Sequence, residues 1–259
     1  MGVALGIFSL LSLLLAVSFT KSHELWRRTS GGSNAQHTLR NLRNRLSRDI
    51  SKTSFASVGT SVALSTLGPK DGSALWFLSP VNHASGEFVR AGNGTPFWQH
   101  HIFYYVTVPK GHSDLVGLEC TGGADAQGFE VQCPHKVVIR KVIDGEVAVD
   151  LDQESTKEKP FAETDPPTNV SQYLTRPQGL DTSKMLLESG VLEASVVCTG
   201  ILSFNVSVGK DPGQPREIEI ETASVSVAEA QRELRIGHVP LRGTRYESRV
   251  TVLAHPRMD

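Results

Sequence analysis

Gly2-Val3-Ala4-Leu5-Gly6-Ile7-Phe8-Ser9-Leu10-Leu11-Ser12-Leu13-Leu14-Leu15-Ala16-Val17-Ser18-Phe19-Thr20 carries no charged side chain and is dominated by Leu, Val, Phe and Ala. At about 1.5 Å of rise per residue, a helix of that length crosses most of the hydrocarbon core of a bilayer. The segment predicts a membrane-inserting N-terminal helix over residues 1–20, with everything downstream hung from it. A cleavable secretory signal is the competing reading. The basic n-region is missing, and the small-residue exit Ala16-Val17-Ser18 matches the cleavage pattern weakly. Lys21, Arg27 and Arg28 all follow the span, so the positive-inside rule by itself would place the C-terminal side in the cytoplasm.

Further along, Leu39, Leu42, Leu46 and Ile50 recur at helical spacing with Arg40, Arg43, Arg45 and Arg48 between them. That is the pattern of an amphipathic helix, assigned to residues 21–54, whose apolar stripe must pack on something. Thr29-Ser30-Gly31-Gly32-Ser33-Asn34 separates the two helical stretches. Two adjacent glycines cost roughly 2 kcal/mol against alanines in a helix interior, which predicts a bend, a melted turn or a break there.

After Asp49 the period changes, and residues 55–259 read as a β-rich domain. Ala74 to Leu78 and Ile102 to Val108 are rich in aromatic and β-branched residues and predict neighbouring strands. Leu115 to Cys120 and Phe129 to Cys133 flank a Gly-rich turn segment and predict a hairpin, with Lys136 to Val142 extending its second arm. Residues 152–184 hold Pro160, Pro166, Pro167 and Pro177 and few core-forming side chains, the composition of a mobile loop. Gly190 to Val208 predicts one or two strands, Glu217 to Glu221 a half-exposed strand of alternating acid and isoleucine, and Arg249 to Leu253 a last one.

The 259-residue chain has 26 basic and 27 acidic residues, a net charge of -1, so no global field draws it to nucleic acid or an anionic surface. Cys120 and Cys133 could form a disulfide across their hairpin in an oxidising compartment, with Cys198 left over; all three could equally be buried thiols. No HExxH, GxSxG, P-loop or correctly placed GxGxxG is present. His100 and His101 are adjacent on a strand, so their rings point to opposite faces and could not easily share a metal. Asp150, Asp152 and Glu154 have same-face spacing for calcium but lack the EF-hand glycine and terminal glutamate. Trp76, Trp98, Tyr104 and Tyr105 could line a binding face, although such residues in β domains are more often core. Asn93, Asn169 and Asn205 open Asn-x-Ser/Thr triplets that matter only in a eukaryotic secretory pathway. This reading contains no catalytic residue, metal site or cofactor. An enzyme without a recognised motif would need His100, His112 and Asp114 to meet a carboxylate in one cleft.

Phe8 to Ser18 resembles the opening of type IV pilins, where a Phe-Thr-Leu-Leu-Glu segment starts a long apolar helix. Leu39 to Ile50, with Arg43, Arg48 and Asp49, resembles the lower half of that helix in minor pilins of the PilW kind and in the J-type pseudopilins of type II secretion. Ala74 to Pro80, Pro96 to Gln99, Ile102 to Val106, Val197 to Val208, Pro215 to Ile220 and Ser248 to Val252 are similar in order and character to the strands of those proteins. The cleavage signature departs from the pattern. With Phe8 as first mature residue, Ile7 stands where the family has glycine and Ser12 where it has glutamate. A shift of one residue puts Gly6 at the glycine and makes Ile7 the first mature residue, with Leu11 at the fifth position. A start upstream of Met1 would supply the missing basic leader.

The resemblance implies an α+β, pilin-like fold in which a long N-terminal helix, membrane-spanning and then amphipathic, packs on an antiparallel sheet. It implies processing around Gly6, Ile7 and Phe8, and assembly through a helix that includes Ser12, Leu39, Leu42, Leu46 and Ile50. The implied partners are other minor pilins or pseudopilins, the inner-membrane assembly platform and inner-membrane lipid, with no nucleic acid. The chain would be single-pass in the inner membrane, its globular domain periplasmic or extracellular, and would act by assembly without catalysis. A neutral Ser12 cannot pair with a neighbour's N-terminal amine, which suits an initiating or tip position. The alternative is an anchored or secreted β-domain binding module behind an ordinary signal.

Overall fold

The computed structural model describes residues 2–62, 72–110, 135–144, 150–151, 153–161, 170, 172–209, 217–226, 247–254 and 256. The N-terminal element is one helix, α1, Gly2–Ile50. The break expected at Gly31-Gly32 does not occur. Gly31 is itself buried, and the buried stripe continues through Ala35, Leu39, Leu42, Leu46 and Ile50. Packing of the downstream stripe outweighs the poor helix propensity of the glycine pair.

Seven described strands follow: β1 Gly59–Val62, β2 Ser73–Ser79, β3 His100–Thr107, β4 Lys136–Ile143, β5 Val191–Val208, β6 Ile218–Val225 and β7 Glu247–Ala254. They form one antiparallel sheet in chain order, so the architecture is α+β. The two aromatic runs pair as expected, with Trp76 opposite Phe103 and Leu75 opposite Tyr104. The run expected over Gly190 to Val208 forms one long strand, β5. Its bulged first part pairs with β4 and its last part with β6. Gly190, just before β5, has φ +75°, and a Cβ there would lie 2.4 Å from the Asp144 carbonyl oxygen, so only glycine fits.

Side chains alternate between two cores. Leu75, Phe77, Ile102, Tyr104, Val106, Val138 and Phe204 face the α1 stripe, joined by Ile218, Ile220 and Val252. Ala74, Phe103, Tyr105, Val137 and Ile139 face the other way, onto Val170, Leu174 and Met185, with Phe161 and Tyr173 beside them. All eight residues of β3 and all eight of β4 are therefore buried, which is why these strands lack a polar alternation. Where the composition of 152–184 indicates a loop with little core capacity, its described residues supply the cover for this second face.

Above the docked stripe, α1 stands clear of the domain. Ile7, Phe8, Leu10, Leu13, Leu15 and Phe19 are 58–74% exposed, and Trp26 at the end of this stretch is 67% exposed. Among the described residues, one helix is thus long and apolar enough to cross a membrane.

Candidate functional site

The structure divides the helix residues singled out from the sequence. Gly6, Ile7, Phe8 and Ser12 lie on the exposed apolar half, with open space around Gly6. Leu39, Leu42, Leu46 and Ile50 are at most 4% exposed and belong to the domain's own core. Only the upper half of α1 thus leaves an apolar surface for lipid or another helix. Cys120 and Cys133, together with His112, Asp114 and Asp152, lie outside the described residues. Cys198 is a free thiol buried in the helix-facing core, and that burial pushes its pKa up to about 12.

Where α1 ends against the sheet, a charged seam is built from four elements, α1, β3, β4 and β5. Tyr104 Oη donates to Asp49 Oδ2 at 2.7 Å, and Arg140 Nε donates to the same oxygen at 2.8 Å. Arg140 Nη1 then donates to Glu193 Oε2 at 2.9 Å, while Arg45 Nη2 reaches Glu193 Oε1 at 3.1 Å. His83 Nδ1 lies 4.0 Å from Glu193 Oε2. Burial works against the Arg140 charge, but Asp49, Tyr104 and Glu193 hold its pKa above the usual arginine range. Burial likewise opposes the Glu193 charge, and Arg140 and Arg45 still keep that carboxyl below the usual glutamate range. The seam pins the end of α1 to β3, β4 and β5.

Lys141, the next residue on β4, points to the other face. Its ammonium is fully buried, donating to the Tyr173 carbonyl at 2.7 Å, to Thr175 Oγ1 at 2.9 Å and to the Glu188 carboxylate. Tyr105 Oη donates to the Thr175 carbonyl at 2.8 Å. Burial pulls the Lys141 pKa down, and Glu188 partly restores it. These bonds fasten the covering segment to the sheet.

His100 and His101 also separate by face, as their adjacency requires. His101 is buried under Phe161, ring centroids 4.1 Å apart, with Nε2 3.2 Å from Glu158 Oε1 and 3.1 Å from the Lys159 carbonyl. His100 sits on the seam side, its ring edge-on to His83 at 6.3 Å. Burial first, then the nearby His83, Arg140 and His101, hold its pKa to about 4 against the opposing pull of Asp49. An unfolded histidine titrates near 6.5, so over the interval between the two values the unfolded chain binds a proton that the folded chain refuses. The His100 contribution is therefore complete above about pH 6.5 and is lost as the pH falls toward about 4. Across that interval the folded chain should lose about 3 kcal/mol more stability than His100→Phe, as measured by denaturant unfolding at both ends.

Arg140, Lys141, Glu188 and Glu193 were not singled out in the sequence, although one signal was there. Arg140-Lys141 interrupts an otherwise apolar β-branched run, and neighbouring strand residues face opposite ways, so each charge needed its own partner. Among the described residues no group of three His, Cys, Asp or Glu side chains is placed to hold a metal ion. Tyr104 and Tyr105 are spent in the two cores, and Trp76 is packed beside Phe103. No protein-family profile, no curated protein and no solved structure matches this chain.

Proposed function

We propose that this chain is a pilin-like assembly subunit, a minor pilin or pseudopilin anchored in the inner membrane by the upper half of α1 until it joins an initiating or tip complex. The observation that carries the reading is the division of a single continuous helix. Its lower half is consumed by the domain's own core, while its upper half projects with its large apolar side chains exposed on all sides. Burying about ten such side chains is worth roughly 20 kcal/mol, so this half requires lipid or other helices around it. An uncharged Ser12 fits a position with few neighbours. The burial of Tyr104 and Tyr105 favours assembly over ligand capture on an aromatic platform.

Mass spectrometry of the N-terminus of the protein isolated from membranes tests the proposal. A methylated Ile7 or Phe8 is the expected result. Cleavage near Ser18, or an intact Met1, would favour the anchored or secreted binding module instead.

A further inference from the structure

Between α1 and the sheet lies a cleft of about 430 Å³, lined by Asn41, Asn44, Arg45, Arg48, Asp49, Arg140 and Glu193. We propose that it is a docking site for an acidic segment of a partner polypeptide. Asn41, Asn44, Arg45 and Arg48 fall at i, i+3, i+4 and i+7, so they form one ridge along α1 beside the buried stripe. Among the described residues no apolar side chain lines the cleft, which favours a polar occupant.

Most of the carboxylate oxygens in the cleft are already engaged by Tyr104, Arg140 and Arg45, whereas three of its donor groups, on Asn41, Asn44 and Arg48, have no partner among the described residues. Asp49 Oδ2 accepts from Tyr104 and Arg140, and both Glu193 oxygens accept from arginines. The Arg48 guanidinium is exposed and makes no ion pair among the described residues, and the same residues offer no hydrogen bond to the Asn41 or Asn44 side-chain amides. The lining sets the guanidiniums of Arg45, Arg48 and Arg140 against the carboxylates of Asp49 and Glu193. A surplus of N–H donors and of positive charge selects an acceptor-rich anion, and a guanidinium fork matches a carboxylate. The two resident carboxylates penalise a compact dianion such as phosphate more than a single side-chain carboxylate. The cleft opens along the lower half of α1, where a neighbour packed beside the helix would present such a segment. Only the identity of that neighbour as a fellow subunit rests on the assembly reading.

The test is titration of the full chain, in nonionic detergent at low salt, with a fluorescent capped hexaglutamate peptide followed by anisotropy. Arg48→Glu should weaken binding at least tenfold. Arg43→Glu makes the same charge change about 140° around the helix and should alter affinity less than twofold. A paired Asn41→Asp and Asn44→Asp variant should also weaken binding, and circular dichroism should show all variants folded. The proposal is overturned by no binding to the folded wild-type chain, by equal losses in Arg48→Glu and Arg43→Glu, or by inorganic phosphate binding more tightly than the peptide. An unprocessed N-terminus would overturn the assembly reading and leave these affinities unchanged.

Discussion

Arg140→Met is expected to lower the stability of the folded chain by about 3–5 kcal/mol, because it strands the carboxylate of Asp49 in a site from which water is largely excluded. The Arg140 and Asp49 side chains are only 11% and 12% exposed, so both charges are largely desolvated although they border the cleft. Glu193 is 31% exposed and can turn toward water, so the penalty falls mainly on Asp49 and on Tyr104, which donates to the same oxygen. Urea unfolding of the full chain in detergent, read by tryptophan fluorescence, measures the loss. A companion Asp49→Leu/Arg140→Met chain removes both charges together and should recover most of it, since a well-packed apolar pair is often as stable as a buried ion pair. A single-variant loss under about 1 kcal/mol would show that the seam is hydrated and contributes little.

Lys141→Met should cost about 3 kcal/mol, and the damage should be local. The Lys141 ammonium holds the Tyr173 carbonyl, the Thr175 hydroxyl and the Glu188 carboxylate on the face away from α1. Without it, Glu188 and Thr175 lose their shared cation, and the cover over Phe103 and Tyr105 is held by its apolar contacts, the Tyr105 hydrogen bond to the Thr175 carbonyl and peripheral bonds such as Arg176 Nε to the Val108 carbonyl and Thr182 Oγ1 to the Ala194 carbonyl. Hydrogen exchange should therefore quicken across residues 172–190 and stay unchanged in β6 and β7, which do not touch this cluster. Uniform acceleration over the sheet would mean that Lys141 supports the whole fold and does not specifically tether the segment.

The two variants together test how one strand serves both faces of the sheet. Adjacent charges in an apolar run are costly unless each meets a partner, and here the Arg140 partners come from α1 and β5 while those of Lys141 come from the segment preceding β5. That arrangement ties the orientation of the projecting helix to a sheet covered on both faces, which is what the proposed assembly through that helix would require.

Local pattern alone established several elements, for identifiable reasons. Apolar character over residues 2–20 and the 39, 42, 46, 50 spacing report helical faces directly, since side-chain direction repeats with the backbone. The aromatic runs at 74–78 and 102–108, and the alternation at Glu217 to Glu221, report strands in the same way: Ile218 and Ile220 are buried, and Glu221 is exposed. The failure at Gly31-Gly32 is equally physical. Helix propensity is a local quantity of a kcal/mol or so per residue, and the packing that overrides it involves a sheet formed by residues far along the chain. The loop composition of 152–184 likewise did not reveal that Val170, Leu174 and neighbouring aromatic residues complete a second core.

The charged seam and the cleft lay furthest from what sequence could decide. Asp49, Tyr104, Arg140 and Glu193 are widely separated along the chain, and their meeting depends on strand register, Tyr104 opposite Arg140 and Arg140 opposite Ser195. By itself the sequence determined that an uncharged apolar helix leads into an amphipathic one and then a β domain, because composition and periodicity act residue by residue. Only the tertiary structure decided that the helix is continuous, that its lower half is already spoken for, and which buried charges find partners, because those outcomes depend on which distant surfaces come into contact.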